Sequence, residues 1–151
     1  MQNKKTIMNK TYIKKNHLNP QWFFIDANNQ TLGRLSSKIA SYLKNKNSIY
    51  YTPFQASQSH IIVINAKKIK ISGQKKNHKL YKRHSGRPGG LKIETFKELQ
   101  SRIPKRIIEK AVKGMLPKNA LGRKLFRYLK VYDDSIHPHN AQKPIQLPIH
   151  K

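Results

Sequence analysis

Cysteine is absent from the 151 residues, which excludes disulfides and thiolate metal sites. Acidic residues are nearly as scarce: six Asp and Glu stand against 32 Lys and Arg, a formal charge of +26. Among so few carboxylates no pair lies at a separation useful for acid–base chemistry, and Asp133-Asp134 sits in what reads as a turn, where solvation accounts for it. Long apolar runs are missing too. None approaches the roughly 18 residues of a membrane span, and no amphipathic stretch carries the bulky insertion face of an interfacial helix. The opening MQNKKTIMNK lacks the apolar centre of a secretory signal and is poor in Ser and Arg, unlike a transit peptide. A chain this basic is steered towards a polyanion, and with membranes disfavoured that polyanion is nucleic acid.

Leu, Ile, Val and Phe make up about a quarter of the chain, just above the roughly 20% below which a highly charged chain stays disordered. The length suits one domain with a modest core and basic extensions. Residues 1–20, rich in Lys and Asn without periodicity, read as an arm. WFFIDA (22–27) is a short apolar run fit for a buried strand, followed by a turn at Asn28-Asn29-Gln30. Thr31 then caps a helix with Leu32, Leu35, Ile39 and Leu43 on one side. IIVIN (61–65) is a second buried strand, and Ile69 and Ile71 suggest another, with a helical turn at 66–69 as the alternative. Thr95-Phe96-Lys97-Glu98 matches a capping box. Pro104 opens a helix burying Ile107, Ile108, Ala111, Val112 and Met115, ended by Gly114 and Pro117. Asn119 caps a last helix through about Lys130, Leu129 to Tyr132 form a short strand, and residues 133–151, with three prolines, form an irregular tail. Strands alternating with amphipathic helices predict an α/β domain over 21–132, helices covering both faces of a small, mainly parallel sheet.

The densest functional signal is SGQKKNHKLYKRHSGRPGGLK, residues 72–92. It holds Lys75, Lys76, Lys79, Lys82, Arg83, Arg87 and Lys92, no acid, four glycines and Pro88. Unpaired charges do not enter a core, so this segment reads as a long surface loop. Its cations neutralise phosphates, its glycines admit close backbone approach, and Tyr81 and His84 offer rings to an unstacked base. A merely solvated loop is the plain alternative, but twenty unstructured residues inside a domain point to function or disorder. On the last helix, Arg123, Lys124, Arg127 and Lys130 gather opposite Leu121, Leu125, Phe126 and Leu129. That stripe is either a phosphate-binding face or an ordinary solvated one.

Catalysis finds little support. Gly86-Arg87-Pro88-Gly89-Gly90-Leu91-Lys92 fails the Walker spacing, since Leu91 follows the last Gly and Ile93 follows Lys92. His137 and His139 resemble a ligand pair with His84 or His150, but no acid accompanies them and the surrounding charge opposes a divalent cation. Neither metal nor cofactor is expected, and no small-molecule substrate. Trp22 reads as core. No DNA-binding signature appears, whereas a Gly/Lys loop with basic extensions suits a folded RNA recognised by shape, phosphate and 2′-OH.

Specific stretches then narrow the reading. WFFIDANNQTLGRLSSKIA, IIVINAKKI with SGQK, YKRHSGRPGGLK, AVKGMLPKNALGR, LKVY and HPHNAQKP run in order over roughly residues 20 to 144. With them the chain resembles the L13 family of large-subunit ribosomal proteins, in its bacterial and organellar form. Where bacterial members commonly carry Gly-Asp before the second strand, this chain has Gln58-Ser59-His60. The resemblance implies a three-layer α/β/α domain with a four-stranded parallel or mixed sheet. It also implies a non-catalytic role binding large-subunit ribosomal RNA early in assembly, beside neighbouring ribosomal proteins. Carried over by position, the RNA-facing residues are Lys75, Lys79, Tyr81, Arg83, His84, Arg87 and Lys92 in the basic segment, together with Lys113, Lys118, Arg123, His137 and His139. Lys greatly outnumbers Arg, and HSGRPGGLK and HPHNAQKP look cyanobacterial or plastid. A plastid ribosome is therefore the expected compartment, with the bacterial cytoplasm as alternative. The rival of another class is a free-standing regulatory or nucleoid protein.

Overall fold

Short runs of β-branched and aromatic residues build the sheet. In the computed structural model, which describes residues 20–49 and 51–147, β1 (Trp22–Asp26) and β2 (His60–Ile64) pair in parallel, Trp22 beside His60 and Asp26 beside Ile64. β5 (Leu129–Val131) adds to the free edge of β2, and β6 (Ile145–Gln146) to that of β1, both parallel. The order is β5-β2-β1-β6. The fourth strand thus comes from the segment expected to be an irregular tail. Nearly all of the arm, and residues 148–151, lie outside the described residues.

One face of the sheet presents Phe23, Ile25, Ile61, Val63 and Leu129 to the helices. Against it pack α1 (Leu32–Leu43) through Leu32, Leu35, Ile39 and Leu43, and α4 (Lys105–Met115) through Ile107, Ile108 and Val112. The helical period read in the sequence therefore finds its core, and Ala111 is partly buried. Met115 does not join it: it is 40% exposed, with its Sδ accepting from the Ser37 hydroxyl at 3.6 Å, and the next residue, Leu116, is the one that turns into the core. Trp22, Phe24, His60, Ile62 and Lys130 lie on the opposite face, yet Ile62 is fully buried. The returning chain covers that side, with His139 at 5.2 Å from the Trp22 ring and a 3-10 turn at Asn140–Gln142. Three layers result: helices, sheet, and this return segment.

Local chemistry closes several elements, although Thr31, at the N-cap of α1 as expected, makes no side-chain capping bond. Asn29 takes a positive φ in the turn after β1, and Asp26 Oδ1 accepts from the Asn28 N–H and from Asn65 Nδ2, both at 2.8 Å, so one carboxylate joins the ends of the two central strands. After β2 the chain makes a 3-10 turn at Ala66–Lys68 and a single parallel bridge from Thr31 to Lys70. The helical-turn alternative therefore holds, and no strand forms at Ile69 and Ile71. The capping box starts α3 (Phe96–Arg102) as expected, with the Thr95 hydroxyl accepting from the Glu98 N–H and the Glu98 carboxylate from the Thr95 N–H. Asn119 caps α5 (Ala120–Arg127) by accepting from the Gly122 N–H at 2.9 Å. α5 stops at Arg127, so Lys130 belongs to β5.

A methyl group at Gly122 would lie 1.7 Å from the Pro117 carbonyl oxygen, so the joint between α4 and α5 accepts only glycine there without moving. Gly122→Ala is expected to destabilise the chain by about 1–3 kcal/mol, read as a lowered urea midpoint; an unchanged midpoint refutes the tight joint. Val112→Asp, placing a charge among fully buried residues, should abolish cooperative unfolding altogether. A sharp transition near the parent's would contradict this account of the core.

Candidate nucleic-acid interface

The basic segment is not an irregular loop. Lys75–His78 form a one-turn helix, α2, and β3 (Leu80–His84) pairs antiparallel with β4 (Leu91–Thr95), leaving only Ser85–Gly90 as the tip. The sequence hides this ribbon because its strands bury little beyond Tyr81 and show no clean alternation of polar and apolar residues. Gly86 and Gly89 take positive φ at the tip, a conformation that glycine adopts freely. The Gly86 N–H donates to His84 Nδ1 at 2.9 Å, so this imidazole shapes the turn.

Side chains alternate across the ribbon. Lys82 and His84 face outward, cross-strand from Ile93 and Leu91, and are exposed, as are Lys75, Lys76, Lys79 and Arg87. Arg83 and Lys92 sit opposite each other on the other face, in line with Tyr81. Tyr81 was expected to offer its ring to a base. Instead it is buried, with Lys110 Nζ at 5.0 Å and Lys79 Nζ at 5.7 Å from the ring centroid, and burial pushes its hydroxyl pKa up. Its ring anchors the ribbon to the domain.

A second basic group lies at the corner between α4 and α5. Lys113 Nζ sits 5.8 Å from the Phe126 ring centroid, Lys118 is exposed in the connection, and Arg123, Lys124 and Arg127 line the exposed side of α5. Lys130, expected to complete that stripe, projects from the far face of the sheet. There it joins a group of rings: Trp22 stacks on His60 at 4.2 Å, and His139 lies beside Trp22 and shares a hydrogen bond with Tyr132 at 2.8 Å. The His139 N–H donates to His137 Nδ1 at 3.2 Å. Trp22 is accordingly half-buried rather than core. Burial, then the Lys130 charge, then His139 hold the His60 pKa below its usual value; burial, then His137, then Lys130 do the same for His139. His60 was missed in the sequence because the second strand was read as starting one residue later, at Ile61. The register of the two central strands, Trp22 beside His60, is what makes it part of this group.

The family whose description is Ribosomal protein L13 matches residues 20–138. The chain is similar to the "Large ribosomal subunit protein uL13" of Prochlorococcus marinus, 57% identical over 94% of this chain and 95% of that protein. It is 58% identical to the "Large ribosomal subunit protein uL13c" of Pyropia yezoensis, over 91% and 96% of the two chains. It is 61% identical to the uL13 protein of Thermosynechococcus vestitus, over 87% of each.

The ring group makes a pH prediction. His60 and His139 have folded-state pKa values below the ordinary histidine value, so as pH falls the unfolded chain binds their protons first. Their stabilisation is complete above about pH 6.5 and is lost progressively as pH drops through the folded-state values. Trp22 is the sole tryptophan, and a protonated imidazole stacked on it quenches its emission. Its fluorescence should therefore titrate with a midpoint below 6.5, and His60→Gln should remove most of the change. A midpoint at or above 6.5 rules out the burial account.

Proposed function

This chain belongs to the ribosomal protein L13 family, and on that premise we propose that it is a structural, non-catalytic constituent of the large ribosomal subunit that binds large-subunit ribosomal RNA. The observation that carries the RNA reading is the β3–β4 ribbon with its glycine tip. Together with α2 and the residue that joins them, it exposes Lys75, Lys76, Lys79, Lys82 and Arg87 to solvent, and among the described residues no ion pair involves any of them. The α4–α5 corner supplies a second set of phosphate contacts through Lys113, Lys118, Arg123, Lys124 and Arg127. Lys130, His137 and His139 supply a third beside half-exposed rings. Spread over three places, these groups suit a folded RNA read through its backbone and shape. Such contacts would hold RNA segments together during subunit assembly, next to other ribosomal proteins. The relatives are cyanobacterial or, in uL13c, algal. These relatives fit a plastid or a bacterial ribosome alike, and it is the Lys-rich composition on which the plastid reading of this chain's place rests.

Two measurements test the proposal. In sedimentation of a native lysate from isolated plastids, the chain should travel with large subunits and remain there at moderate salt. Recovery with DNA and release by deoxyribonuclease would reverse the reading in favour of a nucleoid protein. In binding to large-subunit RNA, log K should fall with log salt, and replacing Lys75, Lys76, Lys82 and Arg87 by Ala should make the slope shallower by about 3, at roughly 0.7–0.9 per lost phosphate contact. An intact fold with an unchanged slope would remove the ribbon from the interface.

A further inference from the structure

The side of the ribbon that faces the domain encloses a cleft of about 120 Å³ against α3 and α4. Arg83 and Lys92 enter it from directly opposed positions on β3 and β4, and Arg106 and Lys110 from one turn of α4. Arg102 comes from the end of α3, and the only acid in the lining, Glu94, is ion-paired with it. Like charges directly across a ribbon, and like charges four apart on a helix, are both unfavourable. Here the two unfavourable pairs converge on one space with no remaining acid to offset them. Tyr81 also lines the cleft, and its buried hydroxyl has no hydrogen-bond partner among the described residues. The space is well below the roughly 300 Å³ of small-molecule pockets, yet ample for one tetrahedral oxyanion.

We infer that this cleft is a discrete phosphate site, built by Arg83, Lys92, Arg106 and Lys110, that clasps one phosphate of an RNA backbone between the ribbon and α4. The source of that phosphate rests on the RNA-binding reading; the existence of the site does not. Arg102, released from Glu94 or shared with it, adds a planar fork suited to two phosphate oxygens. The anion relieves the repulsion between strands and helix, so its binding fixes the ribbon against the domain.

Thermal unfolding of the full chain in inorganic phosphate against chloride, at matched ionic strength, tests the site. The general salting effect of phosphate acts on every variant, so the measure is the saturable difference between variants. The parent and a charge-matched control, Lys46→Ala/Lys68→Ala, should show a saturable rise in melting temperature that Arg106→Ala/Lys110→Ala lacks. Lys110→Gln, which removes the charge over Tyr81 but keeps a polar side chain of similar length on an exposed position of α4, should halve the response or more while leaving the urea midpoint near the parent's. With large-subunit RNA, Arg106→Ala/Lys110→Ala should also have a salt slope shallower by about 1, the value for one phosphate. A parent indifferent to phosphate, or a cleft variant that responds like the control, overturns the site even if RNA binding is intact. A lost phosphate response with an unaltered RNA slope overturns the backbone assignment and makes free phosphate the ligand.

Discussion

Six carboxylates must serve a chain of 32 cations, and where they are placed governs the rest of the molecule. Asp26 ties the ends of β1 and β2 through Asn28 and Asn65. Glu98 closes the capping box of α3, and Asp133 accepts from the Lys105 N–H at the start of α4. Helix N-termini favour negative charge, so these two act where the backbone gives them most effect. Asp134 pairs with Lys67, and Glu94 with Arg102. Five of the six are thus committed to joints between elements. What is left outside is almost pure positive charge, and the basic surface follows from how the fold uses its acids.

The topology keeps that surface apart from the core. Steps from β1 to β2 and from β2 to β5 run in one direction across the sheet, and right-handed crossovers then place the intervening helices on one face. The second crossover is long enough to carry α2 and the ribbon as an insertion before α3. Apart from Tyr81, no residue of β3 or β4 is fully buried. The ribbon's cations can change without touching Ile61, Val63 or Val112.

Sequence patterns made the domain legible wherever burial was one-sided or complete. WFFIDA and IIVIN, the stripes of α1 and α4, the Thr95–Glu98 box and the Asn119 cap were all readable because each follows from a local period or a local hydrogen bond. The family resemblance rested on some of these stretches and also on YKRHSGRPGGLK and HPHNAQKP, in the ribbon and the return segment. The ribbon was not legible, since two short antiparallel strands with exposed Lys, Arg, Leu and Ile leave no clean alternation. Nor was β6, whose Ile145 and Gln146 gain strand character only by meeting Phe23 and Phe24. Tyr81 was misplaced for a related reason: a tyrosine among cations reads as a surface ring until the helix carrying Lys110 is known to lie over it. His60 and the cleft residues Arg106 and Lys110 depend on register and packing between distant segments, which no window of sequence contains.

The two-stranded ribbon is the element least able to stand alone, since an isolated hairpin is marginal in water. Its inner face is loaded with like charges, and its attachment runs through Tyr81 and the start of α3. Self-repulsion of this kind is a free-energy term that a polyanion removes, so a partner that binds only the folded chain stabilises it by mass action. On the proposed reading, RNA would do this unevenly. The sheet and helices would gain little, being already buried, while the ribbon would gain most, because phosphate replaces the acids that the sequence does not supply. An element with few contacts of its own and many cations is then ordered by the RNA it helps to order, and the scarcity of carboxylates is what makes that exchange favourable.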